Sequence, residues 1–399
     1  MKIITLNWGH GPYSISKIIR DIEYNLKQEG IDFVHVQETG KLLDRNYISL
    51  SGGVMYRVYY VWAHVFGRQY GTGYIPYLKL KNIIRKEKPD IVHIHCPNAF
   101  SINLYKTFEF LKREKVNTVI TNHAEFFYTG NCSYAEECMG FVDGCKNCVN
   151  YRERLHSYFF NRSMWAWKKM KTSFEQFETL RMVAVSPWVA DRMKLSPITN
   201  KIPKTTIWNG IDTTVFRFRR DLPKDGKVAL FVSANFTGKE DDIKGSTYLI
   251  KLAEQCTDED IKFLVVGNDN TEGIELPSNL QVVGEIKEQK KLAEYYSLAD
   301  VVVITSKRET FGMVAVESLC CGTPILAFRN GGTESVSIPE YSTFVEFGDV
   351  ETMKGKLLEI LKGTSGDRAL IMQKAHEIYS KEKMAQDYLH LYKEMTGNE

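Results

Sequence analysis

The densest group of reactive side chains lies in the stretch KRETFGMVAVESLCCGTPILAFRNGGTESV, where Glu309 follows an apolar run and Glu317 comes eight residues later. Two carboxylates suggest glycoside hydrolysis, which needs them roughly 5 to 9.5 Å apart. Eight residues of helix rise about 12 Å, which is poor spacing for an acid and a nucleophile. Binding fits better. Phe311 and Gly312 fall at the expected start of a helix, where free N–H groups and the positive dipole end attract hydroxyl or phosphate oxygens. Gly312 lets a ligand come close to the backbone.

Other candidate groups are scattered along the chain. Lys244 stands beside a glycine at a helix start after the run VALFVSANF, a place suited to a phosphate ligand. His123 follows the run NTVITN, and His93 and His95 alternate within DIVHIH, where structural or cleft-lining roles are preferred to a metal pair. Cys132, Cys138, Cys145 and Cys148 form C-x5-C-x6-C-x2-C. Four thiolates can close a tetrahedral structural zinc site, and C-x2-C is a usual half-site. Unlinked or redox-active thiols remain the alternative, since the first spacing is wide. Cys320 and Cys321 sit in an apolar helical stretch and read as core.

These residues need elements to position them, and the chain supplies enough. Its 399 residues predict two or three domains, and 43% hydrophobic with 25% charged residues is an ordinary globular composition. A net charge of only +3 argues against a dedicated nucleic-acid binder. No apolar stretch reaches the roughly 18 to 20 residues of a membrane helix; VMYRVYYVWAHVF, at 54 to 66, is interrupted by Arg57. The N-terminus reads as a first strand rather than a signal peptide, so a cytoplasmic protein with reduced or metal-bound cysteines is expected.

Short β-branched runs alternate with amphipathic stretches: KIITLN, DFVHVQ, DIVHIH, NTVITN and MVAVS, then VALFVSANF, IKFLVVGN, LQVVGEI, ADVVVITS and TPILAF. The rhythm predicts an α/β fold of two doubly wound halves joined near residues 200 to 220. Ligands in such sheets bind outside the carboxyl ends of the strands. The segment RERLHSYFFNRSMWAWKKMKTSFEQF, at 152 to 177, mixes Trp165 and Trp167 with basic residues. It suits either contact with the inner face of the cytoplasmic membrane or packing against its own domain.

Glu-x7-Glu between a buried strand and CGTPILAFRNGGTESV resembles the donor-sugar motif of retaining glycosyltransferases of family 4, with the GT-B fold. NWGHGPYS, TNHAEFF, VAVSPWVADRM, NGIDTTVF, LAEYYSLADVVVITS and YSKEKMAQDYLHLYKEM fall in the family's order. TNHAEFFYTGNCSY with the paired cysteines is most similar to the colanic-acid and exopolysaccharide branch.

The resemblance implies two Rossmann-like domains facing across a cleft. Residues 1–215 would hold the acceptor, with a cysteine-rich insertion at 130–150; residues 216–380 would hold the donor, and 381–399 would form a helix crossing back. It implies that Glu309 bonds the sugar hydroxyls with the backbone at Phe311 and Gly312, that Glu317 binds the ribose, and that Lys244 binds phosphate. The family's arginine is absent, and Lys239 is the nearest replacement. His123 matches the histidine near the reacting bond; Ala124 stands where many relatives carry an acid, so the contacts of that carboxylate are either missing or replaced by Glu125. Gly9 and Gly11 match the glycine loop near the donor phosphates.

The implied reaction moves a sugar from a UDP- or GDP-sugar to a hydroxyl of a glycan or lipid-linked oligosaccharide in bacterial surface polysaccharide synthesis. No catalytic metal is expected. An Asp-x-Asp site of the GT-A kind finds only DED at 258 to 260, which reads as a solvated loop. The alternatives are a GT-B nucleotide-sugar epimerase or a silent glycan- or nucleotide-binding subunit.

Overall fold

The computed structural model describes residues 1–11, 14–40, 46–363 and 367–397. The chain forms two units, one made of Met1–Trp208 with Met384–Glu399, the other of Asn209–Lys383.

In the first unit seven strands form one sheet: β1 (Lys2–Asn7), β2 (Asp32–Gln37), β3 (Tyr47–Ser49), β4 (Ile91–Ile94), β5 (Thr118–Asn122), β6 (Leu180–Ala184) and β7 (Lys204–Thr206). Their order is β3-β2-β1-β4-β5-β6-β7, with every pair parallel. Helices cross between strands, as parallel pairing demands. The strands read as apolar runs because both sheet faces are covered; Ile3, Ile91, Val119 and Val183 are almost fully buried. Their cluster also takes in Met384, Ala385, Tyr388, Leu389 and Tyr392, so the last helix, Lys381–Thr396, completes this core. Two of its tyrosines reach polar groups inside the sheet. Tyr388 Oη lies 2.9 Å from Thr121 Oγ1, and Tyr392 Oη lies 2.7 Å from His93 Nδ1.

The second unit holds β8 (Lys227–Phe236), β9 (Ile261–Asp269), β10 (Leu280–Gly284), β11 (Val301–Ile304), β12 (Ile325–Phe328) and β13 (Ser342–Val345). The order β10-β9-β8-β11-β12-β13 is again all parallel. At its margin Ile211 bridges Ser380, and Lys381 Nζ pairs with Asp212 at 2.6 Å, stitching together the two segments that begin and end the unit.

Both sheets therefore have the doubly wound order expected from the rhythm of apolar runs. Three short strands, β3, β7 and β13, were not legible in that rhythm. They sit at sheet edges and have only three or four residues, several of them partly exposed, so no continuous apolar run announces them. Among the described residues no helix is long and apolar enough to cross a membrane.

Candidate active site

In each sheet the strand order reverses next to its founding strand, between β1 and β4 and between β8 and β11. Strand order of this kind opens a crevice at the carboxyl ends. The candidate residues of the second unit gather there. Lys244 lies after β8 and Glu309 after β11, and the Lys244 ammonium pairs with Glu309 Oε1 at 2.6 Å. Neither side chain is deeply buried.

Local chemistry fixes both ends of this pair. Asp242 accepts the backbone N–H of Lys244 on Oδ1 and of Ser246 on Oδ2, and the Thr305 hydroxyl donates to the carbonyls of Lys244 and Gly245. Gly245 has φ of 69°, and a Cβ there would stand 2.1 Å from the Thr305 carbonyl oxygen, so only glycine lets the lysine turn approach β11. Glu309 is held through its backbone, which bridges Gly331; the Gly332 N–H donates to its carbonyl. Gly312 caps the helix Met313–Cys320 with φ of 89°, and a Cβ there would meet Thr333 Oγ1 at 2.5 Å. Phe311 is buried, which pins the turn carrying Glu309 and leaves the backbone as the polar surface.

Glu317, one turn from the end of that helix, accepts the Tyr296 hydroxyl at 2.7 Å. Lys239 stays exposed in the turn before Lys244, where its carbonyl accepts the Asp242 N–H. Asp242, Tyr296 and Thr305 are positioning residues that motif reading missed. Asp242 alone had a visible signal, an Asx residue two positions before the lysine.

In the first unit the glycine loop leaves β1. The Gly9 carbonyl accepts Asn7 Nδ2 and Ser16 Oγ, both at 2.9 Å, and the Gly11 carbonyl accepts from Arg20. His123 follows β5, with Nε2 3.1 Å from His95 Nδ1. Burial lowers the His123 pKa to about 3, and the same cause brings His93 to about 3, with a smaller push from His123. These imidazoles are neutral at neutral pH. His93, held between Tyr392 and Thr121, is a structural residue.

Glu125 does not substitute for the missing acid at position 124. It is fully buried, paired with Arg192 at 2.8 Å, and it accepts the Tyr128 hydroxyl and the Ala135 N–H. Its carboxylate is occupied in anchoring the cysteine-rich loop. Glu38, at the end of β2, is likewise buried and accepts the N–H groups of Ala99 and Ser101 and the Ser101 hydroxyl. Burial raises its pKa to about 7 against the pull of those donors.

Cys132, Cys138, Cys145 and Cys148 line one cavity of about 130 Å³. The Gly140 N–H approaches Cys138 Sγ at 3.4 Å, and Cys145 Sγ reaches the Thr129 carbonyl at 3.7 Å. Among the described residues no group of three or more His, Cys, Asp or Glu side chains is placed to hold a metal ion. The four thiols singled out by their spacing nevertheless share this one cavity. All eight cysteines are free, with Cys138 exposed and Cys96, Cys256, Cys320 and Cys321 buried. Alkylation of the native protein, mapped by mass spectrometry, should modify Cys138 first and those four only after denaturation. Early labelling of Cys320 would contradict the packing of its helix.

Trp165 packs edge-on against Tyr105 with the Arg68 guanidinium over its ring, and Trp167 donates to the Phe141 carbonyl at 2.7 Å. The tryptophans of the basic aromatic helix are therefore used in packing against its own domain.

Two doubly wound units, each built on an all-parallel sheet, are the architecture of the GT-B fold. A family model described as Glycosyltransferase Family 4 matches residues 19–215, and one described as Glycosyl transferases group 1 matches residues 212–377. The chain belongs to the family 4 glycosyltransferases. A D-inositol 3-phosphate glycosyltransferase of Streptosporangium roseum is 34% identical over 134 residues, 29% of this chain and 30% of the relative. That alignment spans less than a third of the relative. A putative colanic acid biosynthesis glycosyl transferase, WcaC, of Escherichia coli is 23% identical over 347 residues, 79% of each chain. Among solved structures, a sucrose-phosphate synthase from Thermosynechococcus elongatus superposes with a TM-score of 0.71 at 16% identity, covering all of both chains. HepE from Anabaena in complex with UDP-glucose gives 0.64 at 13% identity, covering 99% of this chain and 100% of that one. At such identities the superpositions speak for the fold.

Proposed function

We propose that the chain transfers a sugar, with retention of anomeric configuration, from a UDP- or GDP-sugar to a hydroxyl of a glycan or lipid-linked oligosaccharide in surface polysaccharide synthesis. The observation that carries this reading is the Lys244–Glu309 pair beside the Gly312 helix start. It puts a cation suited to phosphate next to a carboxylate suited to sugar hydroxyls. The WcaC likeness, which runs along most of both chains, supports the polysaccharide context.

Cleaving the bond between sugar and diphosphate leaves negative charge on the departing phosphate, and a fixed cation with backbone donors stabilises it as it forms. Lys244 supplies the cation, and the backbone at Phe311 and Gly312 supplies donors. Glu309 accepts hydrogen bonds from the sugar, and Glu317, oriented by Tyr296, accepts from the ribose. His123, neutral, serves as a hydrogen-bonding group rather than a cation. The acceptor hydroxyl attacks the face from which the diphosphate leaves and passes its proton to the departing phosphate oxygen, so no protein nucleophile is required.

The test is a panel of UDP- and GDP-sugars incubated without acceptor, read as nucleotide release, in wild type and Glu309→Ala. Release from one donor, lost in the variant and retained in EDTA, is expected. Release that the variant keeps would remove Glu309 from the reaction. No release and no thermal stabilisation by any nucleotide would favour a silent binding subunit.

A further inference from the structure

The helix Gly53–Phe66 is apolar on its outside. Of its side chains only Ala63 and His64 are buried, whereas Val54 is 81% exposed, Val61 57% and Trp62 52%. Val58 and Phe66 are exposed as well, so positions 54, 58, 61, 62 and 66 form one helical stripe directed at solvent. This is the reverse of the usual amphipathic arrangement.

The stripe continues onto a second segment. The Phe66 and Phe160 rings stack with centroids 6.2 Å apart and planes at 8°, and Trp62 sits 5.7 Å from Phe66. Phe159 beside them is 67% exposed, and Tyr158 is exposed too. The Tyr158 N–H donates to the His64 carbonyl at 2.9 Å, fixing the two segments side by side. A contiguous exposed surface of this aromatic content marks a contact site.

Its charge selects the partner. Arg57 lines the shallow apolar groove with Val58, Val61, Trp62, Val65 and Phe66. Arg162 closes the other end, with its guanidinium 5.4 Å over the Phe160 ring and Nε on the Phe66 carbonyl. Arg68 follows, exposed, two residues beyond Phe66. The sequence has no Asp or Glu between Asp44 and Glu87, and only Glu153 between Asp143 and Glu175. Aromatic and aliphatic side chains framed by arginines with almost no carboxylates are complementary to the headgroup and upper acyl region of an anionic bilayer. A second copy of the chain would instead bring arginine against arginine.

We infer that the helix Gly53–Phe66 and the segment Tyr158–Arg162 together seat the first unit on an anionic lipid surface. This contact is peripheral, with Trp62, Phe66 and Phe159 entering the interface and Arg57 and Arg162 meeting lipid phosphates. It goes beyond sugar transfer and holds whether or not the chain transfers sugar.

Co-sedimentation of the full chain with phosphatidylcholine vesicles, with and without phosphatidylglycerol, tests it. Binding should require phosphatidylglycerol and weaken with salt. Val61→Asp/Trp62→Ala should lower the partition coefficient at least about ten-fold, and Arg57→Glu about five-fold. All three positions are exposed, and circular dichroism checks that the variants fold. Failure to sediment with anionic vesicles, equal binding to neutral ones, or binding that the double variant retains would overturn the inference. So would a concentration-dependent dimer that the double variant abolishes in a protein that ignores vesicles, which would assign the face to a second copy.

Discussion

Replacing Lys244 by alanine is expected to lower the rate of donor cleavage by about 10²- to 10³-fold, the usual loss when one fixed stabiliser of developing charge is removed. Most of the loss should fall on kcat, because the phosphate carries its greatest charge as the bond breaks rather than when the donor binds. The 2.6 Å contact with Glu309 adds a second expectation. Lys244→Ala and Glu309→Ala should be far from additive, since each removes the partner that orients the other. Lys244→Arg should recover part of the rate, because the charge survives although the reach differs. Nucleotide release measured as kcat and KM for wild type, the three single variants and the Lys244→Ala/Glu309→Ala double variant checks all of this. Wild-type kcat in Lys244→Ala would refute the assignment.

Acidification should destabilise the first unit steeply. Burial lowers the pKa values of His10, His93 and His123 to about 3 and holds His95 well below the ordinary histidine value. A histidine kept neutral in the folded state gives stability that is lost as pH falls through the unfolded value of roughly 6.5 toward the folded one. Glu38 has the opposite sign. With its folded pKa raised to about 7, the native state holds a proton that the unfolded chain releases above about 4.5, so its contribution is lost as pH rises through that window.

Between about pH 5 and 6 the unfolded chain therefore binds four protons on these histidines where the native state binds one on Glu38. The difference of about three protons sets a slope of up to about 4 kcal/mol per pH unit, stability falling with acid. Glu38→Gln should steepen the fall by removing the opposing proton. Tryptophan fluorescence reads this unit alone, because Trp8, Trp62, Trp165, Trp167, Trp188 and Trp208 all lie within Met1–Trp208. Denaturant midpoints that stay level from pH 7 to pH 5 would contradict the neutral, buried state of these rings.

What the sequence revealed follows from how each feature is encoded. The inner strands of both sheets were legible because burial on two faces demands unbroken apolar runs, as in VVVI of β11 and ILAF of β12. The edge strands were not, since exposure relaxes that demand. Lys244 and Glu309 could be singled out by their neighbouring glycines, but their mutual contact crosses 65 residues and no local pattern announces it. The sequence left the role of Glu125 open for a related reason. Its ion-pair partner Arg192 is remote in sequence, and only packing shows that its carboxylate is occupied. The run 54 to 66 is too short to span a bilayer; that its apolar stripe points outward depends on which face the rest of the unit covers.

The placement of the final helix has a consequence for synthesis on the ribosome. Residues 209–383 are contiguous and can fold as soon as they emerge, whereas the first unit, although begun earlier, lacks Met384, Tyr388 and Tyr392 until the helix after residue 383 appears. Until then the hydrogen-bond positions that Tyr392 and Tyr388 occupy on His93 and Thr121 are unfilled, and a wall of the core is open to water. Domains usually consolidate in the order in which they are made. Here the first unit must wait for a helix made after the whole of the second, and the later-made unit closes first.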